Sequence, residues 1–147
     1  MEYIIKTSKS KSEIIQILEN NTSEKRSVFY RNYDEFFNGN ISEDSFKIQR
    51  NISYRNSFLP VIIGTIKETD NGSEISMKMR LSLFVTGFMI FWFSFVIIFC
   101  LMMPFIKFDF PISLVPYLML VFGILLVIIP NKIETKIAKE KLEELLK

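Results

Sequence analysis

The stretch "RNISYRNSFLPVIIGTI", residues 50–66, sets three hydrogen-bonding side chains, Arg55, Asn56 and Ser57, just before an apolar run that contains Pro60. Two kinds of chemistry fit that pattern. Asn and Ser side chains bond nearby backbone groups and hold turns, and a proline fixes one backbone angle at a strand's start, where no ladder donor is needed. Alternatively, a guanidinium presented on a turn pairs with an acid such as Glu68 or Asp70, or meets a lipid phosphate. The turn is the simpler reading, and a binding role stands beside it.

Other reactive groups are few. Histidine is absent and Cys100, the single cysteine, lies inside an apolar run, so neither a His/Cys metal cluster nor an intrachain disulfide is expected. A thiolate is costly in such surroundings, and Cys100 reads as a small apolar filler. Asp34 with Glu35 and Glu43 with Asp44 form two acidic pairs, but adjacent charges near turns are solvated, and general acid–base work needs a cleft. No glycine-rich phosphate loop is present. "YRNYDEFF", residues 30–37, reads as surface plus core rather than a stacking platform. A net charge of +2 supplies no strong field for nucleic acid. No catalytic residue, cofactor or metal is assigned, and the expectation is a protein that is not an enzyme.

The elements that must position these residues fall in two zones. Residues 1–80 read as an α+β domain. Met1 to Lys11 lacks the apolar core of a signal peptide, so the N-terminus is expected to be retained. Tyr3 to Ile5 suits a short strand. Ile14, Ile15, Ile17 and Leu18 then recur at helical spacing behind a capping-box match of Ser10 with Glu13. From Phe36 the period becomes two, which predicts a four-stranded antiparallel meander: Phe36 to Ile41; a strand carrying Phe46, Ile48, Ile52 and Tyr54 on one face, interrupted by Arg50; Leu59 to Lys67; and a strand alternating Ile75, Met77, Met79 and Leu81 with Ser76, Lys78 and Arg80. Asn71-Gly72 marks the last hairpin. Gly64 inside a strand signals a bend or a close approach, with the N-terminal helix as the expected neighbour.

From residue 81 to 130 only Lys107 and Asp109 are charged. Residues 81–103 form an uncharged run that, at about 1.5 Å per residue, exceeds a hydrocarbon thickness of about 30 Å. Residues 112–130 make a second span, and 104–111 the loop between them. Lys107 or Asp109 at the bilayer centre would cost roughly 2.5–3.5 kcal/mol each, so both belong at the tip of a transmembrane helical hairpin. Phe105, Phe108, Phe110 and Tyr117 suit the interface around it. A buried soluble core is the rival reading. Residues 131–147 form a C-terminal amphipathic helix with Ala138, Leu142, Leu145 and Leu146 toward one side, lying on the sheet or on the membrane.

Within the hairpin, Gly87 and Gly123 fall at similar depth, and small residues let membrane helices approach closely. The spans are therefore expected to touch near Gly87 and Gly123, with Trp92 packing around Met119; a cofactor pocket is the competing reading. Neither span holds an ionisable residue to relay a proton or coordinate an ion, which disfavours transport by one copy. Lys78 and Arg80 precede the first span and Lys132, Lys136, Lys139 and Lys141 follow the second, against Lys107 at the tip, so both termini are expected in the cytoplasm.

The runs "FKIQRNISYRNSFLPVIIGTI" and "GSEISMKMRLSLFVTGFMIFW", with the double span, resemble an uncharacterised family of small bacterial two-span membrane proteins. The resemblance covers roughly Phe36 to the C-terminus, and its most specific part is "YRNSFLP" followed by Gly64. It implies a layout, a small mixed domain beside two spans, and no activity, substrate or catalytic residue.

The expectation for function is a multi-pass protein of the bacterial inner membrane whose cytoplasmic domain is a non-catalytic interaction or regulatory module. Its partners would be the lipid bilayer and a protein partner or a second copy of the chain. The alternative is a membrane-apposed module that binds lipid headgroups or a small ligand, with Arg55, Lys78 and Arg80 contacting anionic lipid. An enzyme acting on a lipid-borne substrate would need an acidic cleft that the sequence does not display.

Overall fold

A computed structural model of the chain describes residues 2–24, 35–106 and 110–147. Lys107, Phe108 and Asp109 at the expected hairpin tip, Asp34, and most of "YRNYDEFF" lie outside the described residues.

Ser10 opens the first helix as the sequence predicts. Its hydroxyl accepts from the Glu13 amide at 3.3 Å, and the Glu13 carboxylate accepts from the Ser10 amide at 2.7 Å. The bond from the Ser10 amide first, and a second from the Ser10 hydroxyl to the same carboxylate oxygen at 2.9 Å, hold the Glu13 carboxyl below its ordinary value. Helix α1 (Lys11–Asn20) thereby starts with the Ser10 and Glu13 amides satisfied and buries Ile14 and Leu18. It connects strand β1 (Glu2–Thr7) to a short strand β2 (Thr22–Glu24). Strands β3 (Phe37–Ile41), β4 (Ser45–Arg50), β5 (Val61–Thr69) and β6 (Gly72–Arg80) form the antiparallel meander.

The fold is α+β, with a mixed sheet of six strands in the order β1-β6-β5-β4-β3-β2. The four-stranded description is therefore corrected at both edges. β1 closes one side by antiparallel pairing with β6, and β2 adds three residues in parallel to β3. β4 also ends earlier than expected, at Arg50, so Ile52 and Tyr54 sit in the loop before β5. That loop turns because the Asn56 side-chain oxygen accepts from the Phe58 amide at 2.9 Å, the local bond asparagine offers in turns.

Two glycines are forced by close packing. Gly72 opens β6 at φ 129°, and a Cβ there would lie 2.1 Å from the Thr7 carbonyl oxygen, where β1 ends. Gly64 faces Phe46 directly across the β4–β5 ladder, and a Cβ would fall 2.2 Å from that ring. The close neighbour expected at Gly64 is thus the ring of Phe46, not the N-terminal helix.

Helix α2 (Leu83–Met102) begins three residues after the end of β6, capped by Ser82, whose hydroxyl accepts from the Val85 amide at 3.3 Å. Single 3-10 turns, Met103–Phe105 and Ile112–Leu114, flank the hairpin tip. Helix α3 (Val115–Leu146) then runs 32 residues. It passes through Pro130 without a break, so residues 112–130 and the C-terminal amphipathic segment share one continuous helix and are not two separate ones. Proline is tolerated inside membrane helices where neighbours re-satisfy the freed carbonyl. Beyond Pro130 the helix lies on the sheet. Ala138, Leu142 and Leu146 are fully buried with Ile5, Phe46, Ile48, Ile62, Ile75 and Met77, and burying each leucine stabilises by about 1.5–3 kcal/mol.

Both apolar stretches are long enough to cross a membrane, and their most apolar windows are only 6% and 11% buried within the protein. A soluble core helix would be covered by its own chain; these are not. The two helices fit a two-span membrane protein.

Candidate functional site

Arg50 is the last residue of β4 and occupies the apolar face, following Phe46 and Ile48. A guanidinium there needs an acceptor, because desolvating an unpaired charge is costly. Glu134, on the first turn of α3 beyond Pro130, supplies it. Arg50 Nη1 donates to Glu134 Oε2 at 2.5 Å, and the two side chains are 16% and 4% exposed. The Tyr54 hydroxyl donates to Glu134 Oε1, and Asn56 Nδ2 approaches the same oxygen at 3.4 Å. The Arg50 guanidinium also lies 5.5 Å from the centre of the Phe36 ring, a cation–π distance. One turn earlier, Asn131 Nδ2 donates to the Phe58 carbonyl at 3.1 Å.

Residues 50–58 thus grip α3 at Asn131 and Glu134, where it leaves its apolar stretch. Both Glu134 oxygens are occupied as acceptors, one by a cation. A carboxylate so engaged holds segments together. Tyr54, though half exposed, has its phenol value raised, first because of its hydrogen bond to Glu134 and second because of partial desolvation.

The residues singled out from the sequence separate into three places. Asn56 joins the Glu134 cluster. Arg55 and Ser57 flank it and are exposed, and among the described residues Arg55 forms no ion pair with Glu68 or Asp70. Lys78 and Arg80 are exposed on the face of β6 opposite Met77 and Met79, away from the helices. Sequence reasoning missed Arg50, Tyr54 and Glu134 as partners. The available signal was a double one: Arg50 interrupts an apolar strand face, and Glu134 continues the four-residue spacing of Ala138, Leu142 and Leu146.

In the hairpin, α2 and α3 meet around Trp92 and Gly123, where a Cβ on the glycine would fall 2.3 Å from the indole. Trp92 and Met119 both line an apolar cleft of about 560 Å³, with Phe95, Val96, Phe99 and Val115. The contact expected at Gly87 is absent, since a Cβ there would meet nothing within 4 Å. Gly87 and Trp92 are five residues apart, so at about 100° per residue they point some 140° away from each other. Nearer the tip, the Tyr117 hydroxyl donates to the Cys100 carbonyl at 3.1 Å. Among the described residues, no group of three or more His, Cys, Asp and Glu gathers to hold a metal.

Comparison with family models, with curated proteins and with solved structures finds no match.

Proposed function

We propose that the chain is a small integral protein of the bacterial inner membrane, with both termini cytoplasmic, whose α+β domain is a non-catalytic interaction or regulatory module. One observation carries this reading. Helix α3 belongs at once to the hairpin and to the domain core, and the Glu134 cluster pins it to the sheet at the crossing point. A domain tied in this way turns with its hairpin, so a partner bound on one side of the membrane bears on the helices within it. The basic residues Lys78, Arg80, Lys132, Lys136, Lys139 and Lys141 beside the spans support the inward orientation.

Photo-crosslinking of the full chain in its native membrane tests the module. A discrete crosslinked protein partner or a dimer is expected, with its yield changed by Glu134→Gln. Absence of any crosslinked protein from positions spread over the domain would overturn the proposal. For orientation, reporters fused after Lys147 and ahead of Met1 should both read cytoplasmic.

A second reading, headgroup binding, is favoured by the exposure of Arg55, Lys78 and Arg80 on the polar side of the spans.

A further inference from the structure

We propose that the uncovered face of the sheet, at its membrane end, is a docking surface for the headgroups of anionic phospholipids; this rests on the headgroup reading above and gives it a location. Along β5 and β6, the residues alternating with Ile62, Gly64, Ile66, Ile75 and Met77 point away from α1 and α3. The strand register sorts them into rows. Nearest the first span lie Gln49, Val61 and Arg80, followed by Lys47, Ile63 and Lys78, with Glu2 of β1 opposite Lys78. Next come Ser45, Thr65, Ser76 and Ile4, and farthest away Lys67, Glu74 and Lys6.

Charge is unevenly divided among these rows. Glu74 sits in the farthest row, where Lys6 pairs with it at 3.3 Å. The two rows nearest the membrane present Lys47, Lys78 and Arg80, all exposed, against one acidic position, Glu2 opposite Lys78, which leaves an excess of two cations. The third row offers the hydroxyls of Ser45, Thr65 and Ser76 as neutral donors. Cations side by side with hydroxyl donors complement a phosphodiester, with Val61 and Ile63 as apolar ground between them.

Position decides the occupant. Arg80 is three residues from the first residue of α2, about 10 Å of extended chain, and Lys78 about 7 Å beyond it. The headgroup layer is roughly 5–7 Å thick on each side, and the Debye length is about 8 Å. Long basic side chains shorten the remaining gap by reaching toward the phosphates. Anionic headgroups are therefore the ligand of matching charge held permanently within reach.

Native mass spectrometry of the full chain in neutral detergent, titrated with phosphatidylglycerol or phosphatidylcholine, tests the proposal. Wild type should retain phosphatidylglycerol preferentially, and the preference should fall with salt. Neutralising Lys47, Lys78 and Arg80 to Gln together should weaken that preference about a hundredfold, at about fivefold per cation. Neutralising Lys6 and Lys67 should leave it within about twofold. Equal losses in both variants, or dimer formation on this face in place of lipid retention, would overturn the docking surface. Loss in Arg55→Gln with retention in the triple variant would also overturn it while sparing the broader headgroup reading; no preference in wild type would sink both. Unchanged thermal midpoints confirm that the variants are folded.

Discussion

Arg50 and Glu134, 84 residues apart in sequence, meet at 2.5 Å where the sheet and the second apolar helix join. Each is the other's charge compensation in a largely water-free place, which fixes how substitutions should behave. Arg50→Ala leaves the Glu134 carboxylate buried with only neutral donors and should cost about 3–5 kcal/mol, and Glu134→Ala a comparable amount. Replacing both together, as Arg50→Met with Glu134→Leu, should recover most of the loss, because well-packed apolar pairs substitute for buried ion pairs at little cost. Denaturation of the purified chain in detergent, analysed as a double-mutant cycle, gives the coupling. Single and double variants of equal stability would show that the pair does not hold α3.

Tyr54 adds a pH signature. Its phenol value is raised by donating to Glu134 and, to a lesser degree, by partial desolvation of a side chain that is 50% exposed, so folding favours the protonated form. The contribution is therefore complete below the unfolded value near 10 and is lost as pH rises through the raised folded value. Tyr54→Phe should lower stability by about 1 kcal/mol at neutral pH. The gap between wild type and variant should close toward the alkaline end, measurable as thermal midpoints from about pH 8 to 11. A gap that widens with pH would contradict the bond.

How much of this was legible follows the range of each interaction. The Ser10–Glu13 cap, the period-two alternation of Ile75, Met77 and Met79, and the two apolar runs are local patterns, and the structure contains them all. β2 has the polar sequence Thr22–Glu24 and exists because β3 lies alongside it, so no periodicity marks it. The pairing of β1 with β6 joins residues more than sixty positions apart. Pro130 reads as a boundary by local rules, yet burial of Ala138, Leu142 and Leu146 carries the helix onward. The site was half visible: Asn56 holds its turn as a turn residue should, while its contact with Glu134 depends on the tertiary fold.

Gly64 and Phe46 form a pair in which the ring fills the space that a side chain on the glycine would take. Phe46 is itself 2% exposed and has little room to move. Gly64→Ala should therefore destabilise the domain by about 1–3 kcal/mol through overpacking. Adding Phe46→Leu to that variant should restore part of the loss by removing the clashing ring atoms. A thermal shift series on the four proteins measures both effects. Gly64→Ala matching wild type would mean that the ring swings away freely.

Gly123 and Gly87 give opposite expectations from one residue type. At Gly123 the indole of Trp92 lies against the backbone, with Phe93 3.4 Å from a built Cβ, so a larger side chain must push α2 and α3 apart. Gly123→Leu should cost about 1–3 kcal/mol. Gly87 faces open space, so Gly87→Leu should leave the hairpin intact and gain slightly from helix propensity. Trp92 is the chain's single tryptophan, so its fluorescence reports this contact without labelling. Emission should shift in Gly123→Leu and stay unchanged in Gly87→Leu, alongside detergent melting of both. A shift of equal size in the two variants would place the contact between the spans elsewhere along α2, and would return Gly87 to the interface.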